Sequence, residues 1–297
     1  MSTPFINFCR NAQIKSVQKQ MKGQSLPEGV EVLSDLHYMH DGSDYHTLDI
    51  YYPSGTEGLL PIVVSVHGGA FVGGDKFYNK EFGMRLALYG YCVININYDL
   101  APDVKLVEMV KCVNDALLWI YRSAEKYHGD INNVFGLGDS AGGWQVLTYS
   151  IVNKNEELRN KYQFLIKNPV YFKALALICP VANVKAAMGK GSRIKWFKKY
   201  VYKTGFEDEN YNLTSIQDII DMGEVPPSLI ITTPADHYYY QSVELNELMN
   251  EKNIKHTFLD VKKEENKLDH CFNIMHPEYK ESAYTNQLLA EFFLRNK

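Results

Sequence analysis

The stretch Val134-Phe135-Gly136-Leu137-Gly138-Asp139-Ser140-Ala141-Gly142-Gly143 decides the fold. An apolar run ends in a serine with a glycine two residues away on each side, and a helix-compatible run to about Asn153 follows. This G-x-S-x-G pattern suits a tight strand-to-helix turn, where small neighbours avoid clashes and the serine hydroxyl is pushed out at the carboxyl end of a sheet. Five residues recur by chance, and a bland glycine-rich turn would look the same, so the flanking sequence has to support the reading.

Outward from this turn, apolar runs alternate with helical periods. PIVVSVHGG from Pro61, YCVININYDL from Tyr91, VFGLGDS, KALALICPV from Lys173, SLIITTPAD from Ser228 and KHTFLDVKK from Lys255 read as buried strands. Strands apolar on both faces with helical crossovers predict a parallel sheet covered on both sides. Two earlier β-rich runs, 31–40 and 46–52, the second ending at Pro53-Ser54-Gly55, predict an antiparallel opening pair. Between 103 and 128, the residues Leu106, Met109, Val110, Val113, Ala116, Leu117, Ile120 and Ala124 recur at helical spacing, with Gly129 placed for a left-handed C-terminal residue. Further helices are expected over 82–89, 140–153, 241–251 and 277–293.

Residues 1–24 and 185–222 interrupt this alternation and read as a cap on a single domain spanning 1–297. The first carries a weak helical stripe of Ile14, Val17 and Met21. In the second, Ile194, Phe197 and Val201 share a face while Lys195, Lys198, Lys199 and Lys203 crowd the rest, which reads as a solvated face.

With 45% hydrophobic and 22% charged residues, the 297-residue chain falls outside disordered and collagen-like classes. Its charge, 31 − 35 = −4, offers no basic field to a nucleic acid. Cys9, Cys92, Cys112, Cys179 and Cys271 are unclustered, so neither a zinc site nor a disulfide framework is expected and a reducing compartment is. The first residues lack an apolar run of signal length, and no run of about 18 uncharged apolar residues occurs, so a cytoplasmic location without stable membrane insertion is expected.

A serine nucleophile needs an imidazole base, the base needs a carboxylate to hold its tautomer, and the tetrahedral intermediate needs N–H donors. The carboxylate and histidine are expected downstream, in that order. Asp236 follows the strand SLIITTPAD and His270 follows KHTFLDVKK, so both belong at the sheet edge that carries Ser140. His237 adjoins the acid, His256 begins a strand and His276 precedes a proline. Asp260 lies within a strand, and Asp269 adjoins the histidine too closely to face its Nδ1. The catalytic candidates are therefore Ser140, Asp236 and His270. His67-Gly68-Gly69-Ala70-Phe71 ends an earlier strand, and its glycines let main chain approach a substrate. Gly68, Gly69, Ala70 and Ala141 are the oxyanion-hole candidates, while His67 reads as a residue that bonds the loop's backbone. A phosphate loop is disfavoured because no GK[ST] follows.

Together HGGAF, YDLAP (Tyr98 to Pro102), GDSAGG (Gly138 to Gly143), Asp236 and His270 resemble the hormone-sensitive-lipase-like branch of the α/β-hydrolase carboxylesterases, from about Leu59 to the C-terminus. The resemblance implies a mostly parallel eight-stranded sheet with helices on both faces, an inserted helical cap, a serine esterase mechanism, and no cofactor or metal. Three features depart from that pattern. Ala70 replaces a third glycine, tolerable where φ is negative. Asp99 replaces the usual arginine, whose pairing must be lost or rebuilt. Pro234-Ala235-Asp236-His237 lacks a common downstream glycine.

The expected activity is hydrolysis of short-chain acyl esters through an acyl-enzyme, with Phe71, Asp139, Trp196 and Phe197 as substrate contacts. The partner expected is a small-molecule ester, not nucleic acid, with a homodimer the one assembly entertained. Amide hydrolysis of the arylformamidase type is an alternative, and a non-catalytic ligand-binding homologue is another, disfavoured by the intact Ser140, Asp236 and His270. Tyr238-Tyr239-Tyr240 reads as packing beneath the following helix, Cys271 as a small buried filler, and Cys92 and Cys179 as core.

Overall fold

Runs of β-branched and aliphatic residues build the sheet. The computed structural model describes residues 8, 10–11, 14–15, 17–19, 25–161, 169–187, 214–265 and 267–297. The strands are β1 (Val30–His37), β2 (Thr47–Pro53), β3 (Leu60–Val66), β4 (Cys92–Ile96), β5 (Gly129–Asp139), β6 (Leu175–Ile178), β7 (Ser228–Thr232) and β8 (His256–Asp260). They form one eight-stranded sheet in the order β1-β2-β4-β3-β5-β6-β7-β8. β2 runs antiparallel to β1 and β4, and every other pairing is parallel. This is the α/β-hydrolase fold that the sequence predicts, opening pair included.

Five longer helices cover the sheet: α1 (Lys80–Ala87), α2 (Leu106–Ser123), α3 (Ala141–Lys154), α4 (Tyr239–Glu251) and α5 (Lys280–Leu294). Successive strand side chains face opposite ways, so each strand feeds two cores. Ile62, Val64 and Val66 of β3 join one core with the apolar stripe of α2, with α3 and with Leu245 and Met249 of α4. Val63 joins the other with Phe82 and Leu86 of α1 and Leu289 and Phe293 of α5. A strand buried on both faces needs no alternation, which is why these runs read as continuous apolar blocks.

Gly129 is not the left-handed cap. His128 takes that conformation at φ 62°, donating its N–H to Glu125, and Gly129 opens β5. The glycine is required sterically, since a Cβ there would lie 2.9 Å from Ile62 Cδ1 and 3.0 Å from Ala124 Cβ. Among the described residues no helix is long and apolar enough to cross a membrane.

Candidate active site

Three parallel strands deliver the candidate triad to one sheet edge. Ser140 follows β5, Asp236 follows β7 and His270 follows β8. Ser140 has φ 50° and ψ −115°, a backbone that an L-residue holds only at a cost of about 1–3 kcal/mol. Surrounding bonds over-determine it: its N–H donates to the Ile178 carbonyl at 2.9 Å, and its own carbonyl accepts from Gly143 and Val181 at 3.2 and 2.9 Å. The flanking glycines make the turn physically possible. A Cβ on Gly142 would stand 1.9 Å from the Val66 carbonyl oxygen, and one on Gly138 would stand 2.4 Å from the Gly142 carbonyl carbon.

His270 Nδ1 lies 2.7 Å from Asp236 Oδ1, with the Asp236 side chain fully buried. Asp236 is fixed further by the Tyr238 N–H at 2.9 Å. Burial favours the neutral acid, but the hydrogen bond and charge of His270 outweigh it and hold the Asp236 pKa below the usual carboxylate range. Burial likewise pulls the His270 pKa down, and the Asp236 and Cys179 side chains override it to raise the value above that of free imidazole. Asp269, rejected from sequence as the acid, sits on the rim of the same cleft.

Ser140 and His270 line one cleft of about 400 Å³ with Gly68, Gly69, Ala70, Asp139, Tyr78, Tyr238, His237, Asp269 and Met275. Its oxyanion side differs from expectation in two respects. The Gly68 N–H donates to Asp139 Oδ2 at 3.0 Å, so Gly68 braces the loop instead of serving an oxyanion. Ala70 has φ 53° and Phe71 φ 67°, so the residue replacing the third glycine does take a glycine-like backbone. The N–H groups of Gly69 and Ala70 donate to no other group among the described residues. Ala141 begins α3, so its N–H has no acceptor within the helix, and the helix dipole favours negative charge there.

Of the predicted substrate contacts, Phe71 is corrected, while Asp139 lines the cleft and braces the loop as well. Phe71, 1% exposed, packs edge-on against Trp144 at 5.5 Å and belongs to the core, not the cleft. Asp139 is buried, accepting from Asn79 Nδ2 at 2.8 Å as well as from Gly68, so it holds the loop. Trp196 and Phe197, with most of the 185–222 insertion, lie outside the described residues. Tyr238 lines the cleft edge-on to His270 at 5.6 Å instead of only packing under α4, whereas Tyr239 donates to Asp260 at 2.9 Å.

Several contributors had no local motif. Asn79 reaches Asp139 across 60 positions, and Tyr98, stacked on His67 at 4.4 Å, donates its hydroxyl to the His67 carbonyl at 2.8 Å. His67 Nδ1 lies 2.7 Å from the Gly68 carbonyl, the backbone-holding role expected of it. From the N-terminal segment, Val17 is buried against the cleft, and Arg10 donates to the Val72 and Ala101 carbonyls at 2.6 and 2.8 Å.

A serine on a strained strand–helix turn, sharing a cleft with a histidine held by a buried aspartate, on this eight-stranded sheet, is the arrangement of the α/β-hydrolase fold. The chain belongs to the BD-FAE family, whose model matches residues 48–249. Isoprenylcysteine alpha-carbonyl methylesterase of Arabidopsis thaliana is 30% identical over 114 residues, 38% of this chain and 27% of that protein. Versiconal hemiacetal acetate esterase of Dothistroma septosporum is 31% identical over 115 residues, 38% of this chain and 34% of that protein. The chain thus spans about a third or less of these relatives. In fold, it is similar to esterase B of Lactobacillus rhamnosis, with TM-score 0.90, 24% identity and coverage of 98% of this chain and 93% of that one. An esterase of Pyrobaculum calidifontis gives TM-score 0.74 at 22% identity, covering 97% and 92%.

Proposed function

We propose that the chain is a serine carboxylesterase acting on short-chain acyl esters, with Ser140 as nucleophile, His270 as base and Asp236 as the group that orients it. The observation that carries this reading is the meeting, in one cleft, of a strained Ser140 and a His270 whose Nδ1 is held by buried Asp236 at 2.7 Å. Asp236 fixes the tautomer with the proton on Nδ1, which leaves Nε2 as the base. Nε2 takes the hydroxyl proton as Ser140 Oγ bonds to the ester carbonyl carbon. The N–H groups of Gly69, Ala70 and Ala141 receive the oxyanion. His270 then protonates the departing alkoxide as the C–O bond breaks, and water repeats the sequence on the acyl-serine.

The ester-hydrolase names of the matched relatives support the reaction class. Buried Val17 supports a cap element within 1–24. The four free thiols described, Cys92, Cys112, Cys179 and Cys271, fit a reducing cytoplasm. The experiment is turnover of matched nitrophenyl ester and formanilide substrates by wild type and Ser140→Ala. Esters should be preferred, and the variant should lose on the order of 10³-fold or more in kcat. A formanilide preference would transfer the reading to amide hydrolysis, and full activity in Ser140→Ala would end it.

A further inference from the structure

We infer that His46, Asp99 and Cys112 form a zinc-type metal site, separate from the catalytic cleft and braced by Asp41. His46 follows the bend after β1, Asp99 follows β4, and Cys112 lies on α2. The metal-facing atoms form a nearly regular triangle: His46 Nε2 to Asp99 Oδ2 is 3.2 Å, and Cys112 Sγ is 3.8 Å from each. A tetrahedral zinc with bonds of about 2.3 Å to sulfur, about 2.1 Å to nitrogen and about 2.0 Å to oxygen sets its donors about 3.3–3.6 Å apart. Adjustments of a few tenths of an ångström would seat the ion, with water as a fourth ligand.

The surroundings point the same way. His46 Nδ1 donates to Asp41 Oδ2 at 2.5 Å, so the ring's far nitrogen is turned toward Asp99 and Cys112. A carboxylate behind a histidine is the usual outer partner of a zinc-bound imidazole. On binding, the proton of the Cys112 thiol and any proton on His46 Nε2 are released to solvent. One thiolate and one carboxylate then balance the dication. Sulfur, imidazole and carboxylate together suit zinc or cobalt(II) better than magnesium or calcium. Cys112 is 5% exposed and the His46 side chain 9%, whereas the Asp99 side chain is 27% exposed and gives an ion a way in.

The site also gives Asp99 a role. Where the resembling family has arginine, this chain has an anion facing a histidine and a thiol. The donors stand 53 and 13 positions apart, so no CxxC-like spacing could reveal them. The neighbour of Asp99 is Tyr98, whose hydroxyl holds the His67 carbonyl, and the Ala101 N–H holds the Phe71 carbonyl at 2.9 Å. A metal here would staple the β1–β2 connection and α2 to the segment that supports the oxyanion loop.

The test is titration of the purified chain with cobalt(II), then competition by zinc, followed by the thiolate-to-cobalt absorption band and by thermal melting. About one equivalent should bind with a thiolate band, and zinc should displace it and raise the melting temperature. Cys112→Ser should lose the band, and Asp41→Asn should weaken binding by about 10–100-fold. Asp99→Asn, a near-isosteric change at a partly exposed position, should weaken binding even if Cys112→Ser folds poorly. Cys271→Ser is the control, because Cys179, His270 and Cys271 form a second group of close donors. A band that survives Cys112→Ser and vanishes in Cys271→Ser would overturn the assignment. So would wild-type binding without a thiolate band, or no binding at all, leaving His46 as a proton-bearing link between Asp41 and Asp99.

Discussion

Asp139→Asn should disable the proposed oxyanion loop by removing the brace on Gly68. Both carboxylate oxygens of Asp139 face donors: Oδ1 accepts from Asn79 Nδ2 at 2.8 Å and Oδ2 from the Gly68 N–H at 3.0 Å. An asparagine has one acceptor and one donor end, so either flip leaves a donor against a donor in a buried site. One hydrogen bond to a charged group, about 1.5–3 kcal/mol, is lost, and the orphaned donor adds to the penalty. The chain should therefore lose about 2–3 kcal/mol of stability, which at roughly 2–4 °C per kcal/mol lowers the melting temperature by about 4–12 °C. With Gly68 released, the Gly69 and Ala70 donors move, and a misplacement near 1 Å costs about 10²-fold in rate. Calorimetry and steady-state kinetics on a nitrophenyl ester read both effects. A wild-type melting temperature and kcat would refute the bracing role, and an increase in KM alone would restore the substrate-contact role expected from sequence.

Asp236→Asn should lower kcat/KM by about 10⁴-fold, and because Asp236 helps raise the His270 pKa, the acidic limb of the residual pH–rate profile should shift to lower pH. A shift to higher pH would contradict the assigned pair. Gly142→Ala places a Cβ 1.9 Å from the Val66 carbonyl oxygen and should cost about 3 kcal/mol or more in urea unfolding, whereas Gly58→Ala, with nothing within 4 Å, should stay within about 0.5 kcal/mol. Across nitrophenyl esters, kcat/KM should rise about fourfold per methylene, at about 0.8 kcal/mol each, then collapse beyond butyrate. Tyr238→Ala should move that optimum to longer chains, and an unchanged profile would remove Tyr238 from the acyl wall.

The sheet was legible because burial on both faces writes strands as unbroken apolar blocks such as Pro61–Val66, and α2 because one face of a helix repeats at fixed spacing. The placement of the candidate residues was legible for a topological reason: parallel strands end on one edge, so Ser140, Asp236 and His270 could be put at that edge from order alone. What the sequence could not reveal depends on chain segments meeting in space. Asn79 meets Asp139 from 60 positions away and Tyr98 meets His67 from 31, with no motif of their own. Phe71 was misread because its place beside the glycines implied the cleft, whereas a φ of 67° turns it into the core against Trp144. Ala70 was misjudged for a related reason, since the backbone of a loop does not follow from residue type.

The proposed mechanism stands or falls with Ser140 as the nucleophile. Treatment with a fluorophosphonate, followed by intact-mass and peptide analysis, tests it most directly. One adduct per chain is expected, on the peptide containing Ser140, formed in step with loss of esterase activity and greatly slowed in His270→Ala. An adduct on another residue, together with undiminished turnover in folded Ser140→Ala, would contradict it.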